Sequence, residues 1–296
     1  MISYKQLQMR QTMPLDYKIQ FTKSRIKQFY NHYERKAYIA WSKGKDSTVL
    51  LHIARQICPD IEAVFIDTGL EYPEIRNFGL DVENVTIIKP KMSFRKVIEK
   101  YGFPVISKEQ SQFISQYRNA KSEKTKQTRW NGNKYGMGKI SEKWKYLVDA
   151  PFKISDKCCD VMKKNPAKDF EKRTGKYPIL GTMTEESKLR EQKYLKTGCN
   201  AFEAKRPNST PLAFWTTADI WEYIKKYNVK YSPIYDIGYE RTGCMFCCFG
   251  ITYEYSDLFS KNRFQRMKQT HPKQWNYCIN KLGCGKVLDY INVSYS

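Results

Sequence analysis

The 296-residue chain carries 52 Lys or Arg against 30 Asp or Glu, a formal charge of +22, with 41% hydrophobic and 15% aromatic residues. That apolar content suffices for a packed core and excludes wholesale disorder, and no apolar run approaches the roughly 18 residues that cross a bilayer. A surface this positive draws polyanions towards it, although a lysine-rich soluble surface produces the same arithmetic.

The opening "MISYKQLQMRQTMPLDYKIQ" has no apolar stretch of the secretory type, so a cytoplasmic address and no membrane partner are expected. Leu15 to Tyr33 places Ile19, Phe21, Ile26, Phe29 and Tyr30 at helical spacing among charges, which predicts an amphipathic helix. "KAYIAW" then reads as a short buried strand ending at Trp41. After a Gly-Lys loop, Val49, Leu50, Ile53 and Ile57 share one helical face. "EAVFIDT" and "NVTIIKP" are two further strands, each preceded by a helix-length stretch. This alternation predicts an α/β fold, a parallel sheet flanked by helices.

From about Arg118 to Lys176 the composition shifts to 17 Lys or Arg against 7 Asp or Glu, with Trp130, Tyr135, Trp144 and Tyr146 interspersed. Within it "RWNGNKYGMGK" reads as a glycine-punctuated, mobile loop. "YPILGT" is another strand, and "TADIWEYIKKY" a helix that Thr217 or Asp219 caps. Trp215, Trp221, Tyr223 and Ile224 read as core packing. From about Lys261 the chain looks helical again. The expected organisation is a helical extension over 1–35, an α/β domain over 36–250 with a basic insert at about 118–176, and a helical tail over 251–296.

The turn between the first strand and the following helix reads "SKGKDS". Gly44 permits consecutive backbone N–H groups to face one point, and the following helix adds its positive end. Lys45 supplies a mobile charge, Ser42 and Ser47 supply hydroxyls, and Lys43 and Asp46 complete the loop. The pattern is not a Walker A loop, because Ile39 stands where its first glycine is needed and Asp46 where its Ser or Thr is needed.

The loop resembles the S-x-G-K-D-S signature of PP-loop enzymes, which share an adenine nucleotide α-hydrolase-like (HUP-type) fold. "FIDTGLEYPE", "ESKLR" and "PLAFWTTADIWEYIKKYNVKYSPIYDIGYERTGC" narrow the likeness to the phosphoadenosine-phosphosulfate (PAPS) reductase family, over about 36–250. The resemblance implies that Ser42, Lys43, Gly44, Lys45, Asp46 and Ser47 hold the phosphates of an adenine nucleotide. It places Asp67, Thr68 and Gly69 near the nucleoside and makes Arg190 a phosphate ligand. Asp67 could equally end a strand, and Arg190 could be a surface ion-pair partner.

Of nine cysteines, Cys158 and Cys159 are adjacent and Cys244, Cys247 and Cys248 form C-x-x-C-C, a clustering that points to metal ligation. The resemblance joins Cys158, Cys159, Cys244 and Cys247 as ligands of a 4Fe-4S cluster, as in adenylyl-sulfate (APS) reductases. A four-cysteine zinc site and free thiols stay open. Cys248 is a spare neighbour, and Cys58 and Cys199 read as small buried hydrophobes.

Two features depart from the reductase pattern. The tail "NKLGCGKVLDYINVSYS" keeps Cys284 without the glutamate and histidine that flank the reductase nucleophile, and Lys286 is placed to lower its pKa. "GTMTEES" lacks the arginines that reductases carry there. Three readings follow. The first is ATP-dependent, pyrophosphate-releasing activation and sulfur transfer on a nucleic acid (tRNA or DNA), with Mg²⁺, catalytic Lys45 and Asp46, and a sulfur- or thiol-donor protein. The second is an APS/PAPS reductase using Cys284, and the third a nucleotide-binding subunit with a structural cluster.

Overall fold

The computed structural model describes residues 1–254 and 261–296. Helices α1 (Tyr4–Gln11) and α2 (Leu15–His32) precede strand β1 (Ala37–Ala40), α3 (Lys45–Arg55), β2 (Glu62–Ile66), α4 (Pro73–Asn77) and β3 (Val85–Ile88). Then come α5 (Phe94–Tyr101), β4 (Val105–Ile106), α6 (Lys108–Asn119), α7 (Glu123–Asn131), α8 (Lys157–Cys159) and α9 (Asn165–Thr174). The chain continues through β5 (Tyr177–Leu180), α10 (Lys188–Thr197), β6 (Asn200–Ala201), β7 (Asn208–Ser209) and α11 (Thr217–Tyr227). It ends with β8 (Cys248–Phe249), α12 (Arg263–Thr270), α13 (Pro272–Asn276) and α14 (Cys284–Tyr290). No helix among the described residues is long and apolar enough to cross a membrane.

These elements form two compact units, each discontinuous in sequence: 1–67, 72–89 and 166–242 in the first, and 68–71, 90–165 and 243–296 in the second. The first contains a sheet of order β3-β2-β1-β5-β7-β6, parallel except for the last pair. Its central strands are buried: Ala37, Tyr38 and Ile39 in β1 and Ala63, Val64 and Phe65 in β2 are almost fully covered. β1 is flanked by β2 and β5 in register, with Ala40 opposite Val64 and Leu180. The chain leaves β1 for β2 on one side and reaches β5 on the other, so the strand order reverses there. In open α/β sheets the carboxyl ends at such a reversal form the ligand crevice.

The amphipathic reading of α2 holds: Leu15, Ile19, Thr22, Ile26 and Phe29 are buried along one face. At its buried edge Lys18 (1% exposed) pairs with Asp219 at 2.6 Å, and Trp215 donates its indole N–H to Thr22 at 2.9 Å. The cap of α11 lies one residue earlier than the sequence indicates. Thr216 accepts from the Asp219 N–H, and Asp219 returns a bond to the Thr216 N–H, a reciprocal capping box. Thr217 instead bonds Glu185.

In the second unit β4 and β8 pair in parallel, Val105 with Cys248 and Ile106 with Phe249. Gly102, at φ +110°, packs so closely on Lys153 that a Cβ would sit 2.4 Å from its carbonyl carbon; no other residue fits there. The expected loop at 129–139 is only partly a loop. Arg129 to Asn131 finish α7, and the Asn133 carboxamide then accepts the N–H groups of Tyr135 and Met137. Of the expected C-terminal tail over 251–296, positions 255–260 lie outside the described residues.

Candidate functional site

The first unit turns sharply after β1. Lys43 adopts φ +62°, a backbone conformation that L-residues seldom take. Gly44 follows as the N-cap of α3 in extended geometry, with no side-chain cap; the Lys45 N–H is taken by Tyr235, and the first-turn donors after it stay available to an anion. The Ser42 and Ser47 hydroxyls meet at 3.0 Å, and Ser47 donates to the Gly44 carbonyl at 3.0 Å. Lys45, nearly buried, pairs with Asp46 at 3.0 Å. Five of the six residues read from the motif therefore form one nest.

Lys43 does not join it. Its side chain turns inward (2% exposed), donates to the Arg76 carbonyl at 2.9 Å and lies over the Phe65 ring at 4.7 Å. Burial lowers its pKa, opposed by Asp67 and assisted by Arg76. Its role is to brace the turn.

Several residues that motif reading passed over complete the nest. Tyr235 accepts the Lys45 backbone N–H on its hydroxyl at 2.8 Å, and Thr242 stands 3.4 Å from that hydroxyl. A Cβ on Gly44 would come 2.9 Å from the Thr242 hydroxyl. Trp221 and Tyr231 set their rings against Tyr235, so Trp221, expected only as core, also positions a loop contact. Gly181, just after β5, lies so near the loop that a Cβ would meet the Ser47 Cα at 3.0 Å. Tyr235 and Thr242 fall inside the quoted family stretch, which was their only sequence signal.

Asp67 ends the β2 segment, 8% exposed and paired with Arg76 at 2.8 Å. Thr68 and Gly69 belong to the second unit. There Thr68 is bound to Glu71 through both its N–H and its hydroxyl, at 3.1 and 2.7 Å. Gly69 turns at φ +72°. Arg190 pairs with Glu186, whose carboxylate also meets Arg241 at 3.3 Å. Burial depresses the Arg190 pKa, as does Arg241, while Asp46 counters them. One carboxylate holding two guanidiniums leaves excess positive charge beside Asp46.

The clustered cysteines all lie in the second unit. The Cys158 and Cys159 sulfurs are 4.0 Å apart, where α8 passes into a π-helical turn over Asp160–Lys164. Wide turns of this kind recur at functional sites. Cys158 is driven up by its hydrogen bond to Cys159, by burial, and by the charges of Cys159, Cys247 and Cys244. That same bond pulls Cys159 down, against burial and with help from Lys108, Lys163 and Lys164. Burial raises Cys244 and pushes Cys247 up to about 12. Desolvation acts against the Lys163 ammonium, but Cys244 and Glu71 outweigh it and its pKa is raised.

Four thiols thus share one electrostatic neighbourhood with lysines to balance thiolate charge, a donor set whose chemistry suits iron or another thiophilic metal. Among the described residues no three His, Cys, Asp or Glu side chains converge as a site for a single ion.

Cys284 lies against Cys248 of the C-x-x-C-C run, 1% exposed, as the first residue of α14 after Gly283 at φ +75°. It therefore opens a helix. A hydrogen bond with Cys248 lowers its pKa, but Cys278 and burial outweigh it and the thiol is held well above its ordinary value. Lys286 does not activate it: its ammonium lies over the Phe103 ring at 5.5 Å. Cys58 and Cys199 are buried, as expected.

A family model for the phosphoadenosine phosphosulfate reductase domain matches residues 36–249. An uncharacterized protein of Methanocaldococcus jannaschii is 27% identical over 266 residues, covering 87% of this chain and 51% of that protein. A second protein of that organism is 25% identical over 261 residues, covering 87% and 43%. The chain spans about half the length of these two relatives. The adenosine 5′-phosphosulfate reductase of Anoxybacillus flavithermus is 27% identical over 250 residues, covering 83% of this chain and 88% of that protein. Among solved structures, the phosphoadenylyl-sulfate reductase of Candida auris aligns at TM-score 0.46 and 15% identity, covering 82% of this chain and 96% of that one. The U34-tRNA thiolase NcsA of Methanococcus maripaludis, with its 4Fe-4S cluster, aligns at 0.41 and 11%, covering 92% and 80%. The Ser42–Ser47 loop, the D-T-G turn and both cysteine pairs fall within the matched span, and the chain belongs to the phosphoadenosine phosphosulfate reductase domain family.

Proposed function

We propose that this chain binds ATP at the Ser42–Ser47 loop, activates an oxygen of a nucleic acid with release of pyrophosphate, and passes sulfur to the activated position. In the first step the acceptor oxygen bonds to the α-phosphorus and the bond to pyrophosphate breaks. In the second, a sulfur nucleophile from a donor protein or sulfide forms the carbon–sulfur or phosphorus–sulfur bond and AMP leaves. The Lys45 ammonium and the first-turn N–H groups after Lys45 stabilise charge on the phosphates, and Ser42 and Ser47 orient them. Asp46, next to Lys45 in the first turn, would hold a Mg²⁺ brought in with ATP, which when bound would supply neutralising charge for the pyrophosphate. Cys158, Cys159, Cys244 and Cys247 would hold a 4Fe-4S cluster, which when bound supplies iron sites for electron or sulfur handling.

The observation that carries this reading is the state of Cys284. A thiolate nucleophile must be deprotonated and reachable, and this thiol is sealed, hydrogen-bonded to other thiols and pushed up in pKa. The phosphate nest, in contrast, is fully furnished. The basic stretch at about 118–176 supports a polyanionic acceptor, although Arg118 binds the carbonyls of Ala150 and Phe152, and Arg129 that of Gly138.

The test is pyrophosphate release from ATP and Mg²⁺ by anaerobically purified protein, with tRNA or DNA added. Release stimulated by one of them is expected, and unchanged in Cys284→Ser. The second reading, a sulfonucleotide reductase, is favoured by the family and by its relatives named APS reductases. It requires sulfite from APS or PAPS with a thiol donor, and loss of that activity in Cys284→Ser. Sulfite production with no pyrophosphate release would overturn the first reading.

A further inference from the structure

A cavity of about 330 Å³ opens in the second unit. One wall is aromatic, made by Trp144 and by Tyr146, which is 40% exposed. Tyr146 is backed by Tyr290 (centroids 5.7 Å apart), itself met edge-on by Phe152 at 5.5 Å, so the ring is held as a platform. Ile291 and Val293 form an apolar wall.

Three polar groups complete the lining. The Lys143 ammonium lies over the Trp144 ring at 4.9 Å and has no carboxylate partner among the described residues. Asn292 brings a carboxamide, on a backbone held at φ +53°. The Thr252 hydroxyl oxygen is buried and has no hydrogen-bond partner among the described residues. A buried hydroxyl left unpaired gives up its hydrogen bonds to water for nothing in return, so its presence here needs a reason.

We propose that this cavity receives one unpaired nucleobase of a single-stranded nucleic acid. The base stacks on Tyr146, its edge bonds to the Thr252 hydroxyl and the Asn292 carboxamide, and Lys143 meets the adjoining phosphate. The volume lies near the lower end of the ~300–1,000 Å³ of ligand pockets, suited to one nucleotide and too small for a duplex. A flat aromatic floor, donors and acceptors at the rim, and an unpaired cation are what an extruded nucleotide requires. The chain's charge of +22 supplies the long-range attraction. This inference rests on the nucleic-acid reading above and names the place where the acceptor is gripped.

The test is fluorescence anisotropy of the full chain with a labelled single-stranded oligonucleotide, in ribose and deoxyribose forms, against the same strands made abasic. Wild type is expected to prefer base-bearing strands, and the sugar that binds more tightly identifies RNA or DNA. Tyr146→Ala should weaken binding by roughly 5- to 150-fold, the range of one lost base–aromatic stack, and erase the preference over abasic strands. Thr252→Val should also weaken binding while leaving the melting temperature unchanged or raised, which a merely structural residue would not do. If wild type binds no nucleic acid, the acceptor reading falls and this inference with it. If wild type binds but both variants keep its affinity and its base preference, the cavity alone is overturned. Thr252→Val decides the matter should Tyr146→Ala fail to fold.

Discussion

Lys45 and Gly181 show how differently two residues of one nest announce themselves. Lys45 sits in a motif whose residue types state their chemistry: a mobile cation at the start of a helix, with hydroxyls beside it. Gly181 lies in a distant strand end, and only the parallel pairing of β1 with β5 brings it against Ser47. Lys45→Ala should lower ATP affinity at least tenfold by removing the cation. Gly181→Ala should do so as well by displacing the loop, since shifts of about 1 Å in a positioning element cost up to ~100-fold. Equilibrium dialysis of ATP checks both. Unchanged affinity in Gly181→Ala would mean that the loop absorbs the added methyl without consequence. Lys43 carries the opposite lesson: a lysine inside a phosphate motif is spent on bracing the turn, because its positive φ aims the side chain into the core.

At the scale of elements, periodicity was an accurate guide. α2 and α11 appear where their apolar faces predict, and the strands around 37–41, 62–66, 85–88 and 177–180 all form. α1 lies inside the helical extension expected over 1–35 but was not delimited as a helix of its own, since it buries only Leu7 and has almost no apolar face to read. The capping of α11 by Thr216 was missed because a cap depends on where the backbone leaves the helix, which periodicity leaves open by a residue or two.

The junction of α3 with α11 yields a pH prediction. His52 on α3 shares a 2.8 Å hydrogen bond with Tyr223 on α11, and burial, aided by Lys23, lowers its pKa. The folded chain thus prefers neutral His52, whereas the unfolded chain takes up a proton near pH ~6.5. The stability this provides is present above that pH and is lost as pH falls towards the folded value. His52→Gln should show a shallower fall of the urea midpoint between neutral and mildly acidic pH. An identical pH profile would remove His52 as a contributor.

At the scale of the whole molecule, the two compact units are interleaved along the chain. Residues 68–71 belong with 90–165 and 243–296, so the D-T-G stretch, read as one site, is divided after Asp67. The same interleaving collects Cys158, Cys159, Cys244 and Cys247 into one unit, with Lys163 among them. Anaerobic preparations should contain iron and absorb in the visible region. Cys244→Ser should lose both, and Cys284→Ser should keep them. Iron retained in Cys244→Ser, or zinc in place of iron, would overturn the ligand set or the cluster.

The sequence by itself determined the class of fold and the family and marked the Ser42–Ser47 turn, because these rest on local patterns: strand and helix periods, and a turn whose chemistry is contiguous. It also singled out the cysteines that gather in the second unit. Only the tertiary structure decided that Lys43 points inward, that Tyr235, Thr242 and Gly181 complete the nest, and that Cys284 is sealed among Cys248 and Cys278. Each of these depends on which distant segments pack together. Burial and hydrogen bonding, which set a side chain's pKa and reach, are properties of that packing and have no signature in the order of residues.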